Sequence, residues 1–194
     1  MDLSPGAEAR LRRIFRALNR FMLLIFRLGL GNFGNGNRYA GWIMVIKHRG
    51  RKSSLTRYAP VNYFEEGDFV YCTAGFGLRT HWYRNLQADP KVELWLPNSR
   101  WAGTAEDFST DARGVEILRK LLFASGFAGP LFGANPRKLS DDDLAHMLEN
   151  YRLVRIRKEK ALTGPGGPGE YAWIWPLATF ILCGFLIRRR RKSP

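Results

Sequence analysis

Cysteine is nearly missing from these 194 residues. Cys72 and Cys183 stand alone in unlike surroundings, which excludes a disulfide framework or thiolate cluster and favours a reducing compartment. Histidine is almost as scarce. His48, His81 and His146 lie far apart with no metal-ligand spacing, so no metal is expected. No Ser-His-Asp set or paired carboxylate emerges either, which leaves the catalytic residues unassigned; an enzyme built on this chain would take its reactive atom from a bound cofactor. Acidic residues are absent from Ala9 to Phe64, where twelve Lys and Arg stand. The pI is near 10.4. Zinc spacings, helix-turn-helix signatures and RNP-type aromatic motifs are lacking, which argues against nucleic acid as the partner. A small-residue cleavage site is lacking after the first apolar run, which Arg27 interrupts, so no signal peptide is expected.

The positive charge has an address. Residues 65–151 carry nine basic and thirteen acidic side chains, whereas from Arg152 onward ten Lys and Arg face only Glu159 and Glu170. Both ends therefore suit an anionic surface, either membrane lipid or a polyanionic ligand. Residues 8–30 read as an amphipathic helix, with Leu11, Ile14, Phe15, Leu18, Met22 and Ile25 on one stripe and five arginines opposite. Such a helix either lies in lipid headgroups or packs on a core with its arginines solvated. At the other end, Gly164 to Gly169 (GPGGPG) is a linker. Tyr171 to Ile187 then runs seventeen residues without a charge before Arg188 to Lys192. Seventeen is the low end of what spans a bilayer, and Trp173 and Trp175 sit where an aromatic belt would be. The expectation is a membrane-associated protein with a transmembrane tail and its catalytic domain in the cytoplasm. The basic cluster after the tail would itself belong in the cytoplasm, which sets a true span against that placement. Four regions follow: a basic helix at 1–30, a cofactor-binding domain at 31–160, a linker at 161–170 and a hydrophobic tail at 171–194.

Inside the domain the periodicity changes. Strands are expected at Trp42–Lys47, Tyr58–Phe64, Phe69–Thr73, Val92–Leu96, Trp101–Phe108 and Arg152–Arg157, with a hairpin at Glu65-Glu66-Gly67-Asp68 and a turn at Pro97-Asn98-Ser99. Helices are expected at about 80–88, 111–124 and 140–149, the last opened by Ser140 and three aspartates. Short antiparallel strands among a few helices predict an α+β domain built on a small β-barrel.

Two segments carry chemistry. His48 to Ser54 follows a strand, turns at Gly50, and offers Arg51, Lys52, Ser53 and backbone N–H groups, with Arg57 just beyond. A phosphate needs those parts, though a solvated basic turn contains them too. Thr73 to Tyr83 sets Gly75 and Gly77 around Phe76 before a helix starting near Thr80. That helix start could face an anion, or the loop could simply lead an aromatic helix into the core, with Trp82 and Leu86 packed there.

These motifs in register resemble the deazaflavin (F420)-dependent nitroreductase and F420H2-dependent quinone reductase family of split β-barrel proteins. The matching elements are the turn Gly50 to Ser53, Arg57 to Pro60, Gly67-Asp68, Gly75 to Gly77, Trp82 to Leu86, and Pro90 to Val92. The resemblance covers about residues 12–160 and is specific over 50–94. It implies coenzyme F420 held at Arg51, Lys52, Ser53 and Arg57, and lying along Ala74, Gly75, Phe76, Gly77, Arg79, Thr80, His81 and Trp82. It also implies hydride transfer from reduced deazaflavin to a lipophilic electrophile such as a quinone or nitro compound, at or near a membrane. Ser54 departs from the family pattern, where a glycine is common, and Arg79 stands where a lysine would be looked for. The tyrosines that shape the substrate side in some members lack a clear counterpart after residue 130. Alternatives on the same fold are an FMN enzyme and a membrane-anchored carrier that binds flavin, F420 or haem without turnover.

Overall fold

The computed structural model describes residues 17–33, 35, 36, 41–126, 136–163 and 169–190. Helix α1 (17–27) leads into strands β1 (Ile43–Arg49), β2 (Thr56–Glu66) and β3 (Phe69–Ala74). A short 3-10 turn (Gly77–Arg79) and α2 (His81–Ala88) precede β4 (Lys91–Trp95) and β5 (Arg100–Asp107). Then come α3 (Gly114–Ala124), α4 (Asp141–Asn150), β6 (Arg152–Thr163) and α5 (Ile174–Arg190). The strands close an antiparallel barrel in the order β1-β2-β3-β6-β5-β4, and β4 returns to pair with β1. This is the expected α+β barrel, a form that leaves no strand edge unpaired.

The apolar run at β1 lacks alternation because both of its faces are covered. Met44 and Ile46 point into the barrel, and His48 continues their two-residue period. Val45 points outward and packs with Trp95 under Phe26, Met22 and Leu23 of α1. Helix α3 does the same for β3 and β6: Ile117 and Leu121 cover Tyr71, Phe108 and Leu153. The other side of α3, Leu118 and Leu122, meets Leu144 of α4. Full burial of side chains this size is worth roughly 1.5–3 kcal/mol each.

Several boundaries move from the sequence expectation. The hairpin narrows to the two residues Gly67 and Asp68, with Gly67 at φ +59°. Strand β6 runs to Thr163 instead of Arg157, because its far half pairs with β5 across two register shifts. The linker therefore begins later than 161; residues 164–168 lie outside the described residues, as do residues 1–16 of the amphipathic helix. Within that helix, 17–27 is helical and ends before Gly29 at φ +74°. No helix among the described residues is long and apolar enough to cross a membrane. The expected span falls short because the first turn opens only at Ile174 and the helix runs on through Arg188 to Arg190. About fourteen apolar residues at ~1.5 Å each reach roughly 21 Å, against a hydrocarbon core of about 30 Å.

Candidate functional site

A cleft of about 720 Å³ opens along β2. The six residues Arg57 to Asn62 line it, and the five steps between them cover roughly 17 Å of strand. At the Arg57 end stands the β1–β2 turn. There Gly50 N donates to Leu55 O at 2.9 Å and Ser54 N to Gly50 O at 2.8 Å, closing a tight loop that carries Arg51, Lys52 and Ser53. At the Asn62 end, Asn62 Nδ2 donates to Trp42 O at 3.2 Å, and Trp42 N donates to Ala124 O at 2.8 Å. These bonds bring in the last turns of α3, which contribute Leu118, Leu121, Leu122 and Ser125. The cleft is cationic by the turn and apolar by α3.

Most of the residues singled out from sequence converge here. Arg51, Lys52, Ser53, Arg57, Gly75, Phe76, Thr80, His81 and Trp82 all line the cleft. Ala74, Gly77 and Arg79 do not: Ala74 is buried in the barrel core, and Arg79 is exposed on the 3-10 turn. The two glycines of the loop divide their work. Gly77 takes φ +53°, and a Cβ on it would lie 2.2 Å from Asn150 O, so its role is backbone packing. A Cβ on Gly75 would meet no atom of the described residues within 4 Å, so nothing in the described barrel demands a glycine there.

Other contributors escaped the sequence reading. Asn85, one helical turn beyond His81, is buried and reaches the basic turn. Its Oδ1 accepts from Arg51 N at 3.2 Å and from Arg51 Nη1 at 2.9 Å, orienting that guanidinium. Its Nδ2 sits 3.4 Å from His48 Nδ1, which lies equally far, 3.4 Å, from the Arg49 carbonyl, so that ring nitrogen accepts from Asn85 in one tautomer and donates to Arg49 in the other. Burial pushes His48 below the usual histidine value, and the nearby Arg57 charge adds to this while the Arg49 carbonyl opposes it. Tyr151, half-buried just past the end of α4, lines the cleft as well. The signal for Asn85 lay in the Trp-Tyr-x-Asn-Leu run; for Tyr151 and the α3 leucines there was none, because only folding brings them to β2.

The residues fit a large anionic cofactor. Three cationic side chains, Arg51, Lys52 and Arg57, surround one short loop. Among the described residues the Thr80 hydroxyl at the N-cap of α2 is buried without a hydrogen-bond partner, a desolvated group that a water or a ligand atom would satisfy. The first N–H groups of α2 lie next to it and favour negative charge.

Among solved structures, the chain is similar to an F420-H2 dependent reductase at 19% identity, covering 59% of this chain and 93% of that one with a TM-score of 0.41. It is also similar to a conserved hypothetical protein from Mycobacterium tuberculosis (15% identity, 71% of this chain, 82% of that one, TM-score 0.46). A third likeness is to the haem storage protein HutZ from Vibrio cholerae (12% identity, 66% and 89% coverage, TM-score 0.43). No curated protein matches the sequence. The family profile described as F420H(2)-dependent quinone reductase matches residues 28–125, just over half of the chain. That stretch takes in the basic turn, the β2 floor, the glycine loop, Asn85 and the α3 leucines, which make up most of the cleft; Asn19 and Tyr151 line it from outside that stretch. The chain belongs to the F420H(2)-dependent quinone reductase family.

Proposed function

We propose that the protein is an F420H2-dependent oxidoreductase whose acceptor is a lipophilic electrophile, a quinone in the first place and a nitro compound in the second. The observation that carries the reading is the polarity of the cleft: Arg51, Lys52 and Arg57 at the turn, and an apolar lining of Pro60, Val61, Phe76 and Trp82 with the buried α3 leucines Leu118, Leu121 and Leu122. Arg51, Lys52 and Arg57 would bind the phosphate and carboxylates of the cofactor by charge and hydrogen bonds. Asn85 holds the Arg51 fork in place, so less rotamer freedom is lost when an anion binds. Thr80 and the start of α2 add neutral donors, while Phe76 and Trp82 offer flat apolar surface to a ring system. Reduced deazaflavin, when bound, supplies the hydride. A quinone becomes the hydroquinone by taking up one hydride and one proton, the pair released as the deazaflavin is oxidised. The α3 leucines and Tyr151 would exclude water around such an acceptor.

Titration of the purified protein with F420 and, separately, with FMN tests the cofactor. F420 is expected to bind at least tenfold tighter than FMN, and the double variant Arg51→Ala, Lys52→Ala to lose more than tenfold in F420 affinity. Equal affinity in the variant would remove the turn from the site. Tight F420 binding without oxidation of F420H2 by any quinone or nitro compound tested would mark a carrier instead of an enzyme.

A further inference from the structure

The two ends of the chain, far apart in sequence, are fastened together. Arg27 Nε of α1 lies 3.2 Å from Glu170 Oε2. Tyr171 N donates to Arg27 O at 2.7 Å, and Trp175 Nε1 donates to Leu28 O at 2.8 Å. The Arg27 guanidinium also sits over the rings of Tyr58 and Tyr171, 5.1 and 5.7 Å from their centroids. Since α1 is itself seated on the barrel through Phe26, Met22 and Leu23, the latch fixes the start of α5 to the barrel wall.

What the latch presents is apolar. On α1, Leu18, Phe21 and Leu24 are exposed on the side away from the barrel contacts. On α5, Trp175, Leu177, Phe180, Ile181, Leu182 and Phe185 are exposed in every direction around the helix, Phe180 at 78% and Phe185 at 68%. A helix that is apolar all round belongs in an apolar medium. Its apolar stretch of about fourteen residues is the length of an interfacial or re-entrant segment instead of a span. Exposed Arg20 on α1 and Arg188 on α5 bring positive charge to this surface, as expected where aromatic and leucine side chains enter lipid and arginines stay with anionic headgroups. Helix α1 also reaches the site, because Asn19, next to Leu18, lines the cleft.

We infer that α1 and α5, latched by Arg27, Glu170 and Trp175, form one docking surface for an anionic lipid bilayer, and that it brings the cleft mouth to the membrane so that acceptor dissolved in lipid enters beside Asn19. The docking stands on the exposed surface itself; the route of the acceptor rests on the oxidoreductase reading above.

Flotation of the full chain with vesicles of phosphatidylglycerol and phosphatidylcholine, against phosphatidylcholine alone, tests the surface. Strong flotation with the anionic vesicles is expected, with at least tenfold weaker partitioning for the double variant Phe180→Glu, Phe185→Glu. Because both side chains are exposed, F420 affinity and circular dichroism of that variant should match the parent. Absence of flotation, or flotation unchanged in the variant, overturns the proposal. So does light scattering that shows a dimer converted to a monomer by the two substitutions, since the surface would then belong to a second copy of the chain. For the route, the variant should lose at least fivefold in turnover of a long-chain quinone embedded in vesicles while keeping its rate with a short, water-soluble one. Equal rates on both refute the route. Failure to bind F420 while still floating would sink the oxidoreductase reading and leave the docking surface standing.

Discussion

Ser54 is the residue at which the family pattern and the backbone explain each other. It holds φ at +55°, the left-handed region that a Cβ makes costly, on the tight turn that carries Arg51, Lys52 and Ser53. A glycine is at home in that conformation, so Ser54→Gly should stabilise the fold by about 0.5–1 kcal/mol, after allowing for the larger entropy of unfolded glycine. Thermal denaturation would read this as a Tm higher by about 1–4 °C; a lower Tm would mean the serine side chain is needed there. His48 makes a second test at the same scale. Its folded-state pKa lies below the ordinary value of 6.5, chiefly through burial. As pH falls below about 6.5 the unfolded chain takes up this proton before the native one does, so its contribution to stability is full above that pH and is lost as pH drops toward the lowered native value. Urea unfolding of the parent should therefore weaken across that window, and His48→Gln should flatten the dependence there.

Among the elements, α3 and α4 decide whether the apolar wall of the cleft exists. Helix α3 faces the barrel, α4 and the cleft at once, with Leu118 buried against Leu144 and also lining the cavity. Helix α4 holds it from behind, and α4 is itself begun by a capping box. Ser140 Oγ accepts from Asp143 N at 3.1 Å, and Ser140 N donates to Asp143 Oδ2 at 2.8 Å. Three first-turn aspartates add to this through the helix dipole. Ser140→Ala is expected to cost about 1 kcal/mol, seen as a lower urea midpoint with an unchanged slope. A changed slope would instead show that α4 detaches before the barrel unfolds. On the opposite wall, Glu93 joins three strands: Lys47 Nζ of β1 approaches to 2.9 Å, Arg100 of β5 pairs with its other oxygen, and Trp95 Nε1 of β4 donates to it at 2.7 Å. The clip holds the closing seam between β1 and β4 in register.

At the scale of the whole molecule, the closed barrel holds the cleft walls at a fixed separation before any ligand arrives. Strand β6 achieves the closure by pairing with β3 on one side and β5 on the other. A ligand that binds only this native arrangement must raise the global stability by mass action. F420 at about a hundred times its Kd should add about 2.7 kcal/mol, a Tm rise of roughly 5–10 °C for a chain of this size. FMN at the same concentration should give a much smaller shift; an equal shift would make the cleft a general flavin site.

Much of this was legible along the chain. The cationic turn could be read because phosphate recognition concentrates in a few consecutive residues, Gly50 to Ser53, whose types and order carry the signal. Strand positions could be read from apolar runs and turn residues, and the hairpin from Gly67-Asp68, since the grammar of a turn is local. The tail was legible as apolar, but its helix start and the arginines it includes set a usable length too short for a span. What folding alone decided is what lies across long separations. Arg51 meets Asn85 thirty-four residues away, His48 joins them by continuing the inward period of β1, and Tyr151 and the α3 leucines reach β2 only when the barrel closes. Charge and turn chemistry are properties of neighbours in sequence and determined that a tight cationic turn exists; the depth, polarity and second wall of the cleft depend on packing between distant segments, which only the tertiary structure supplies.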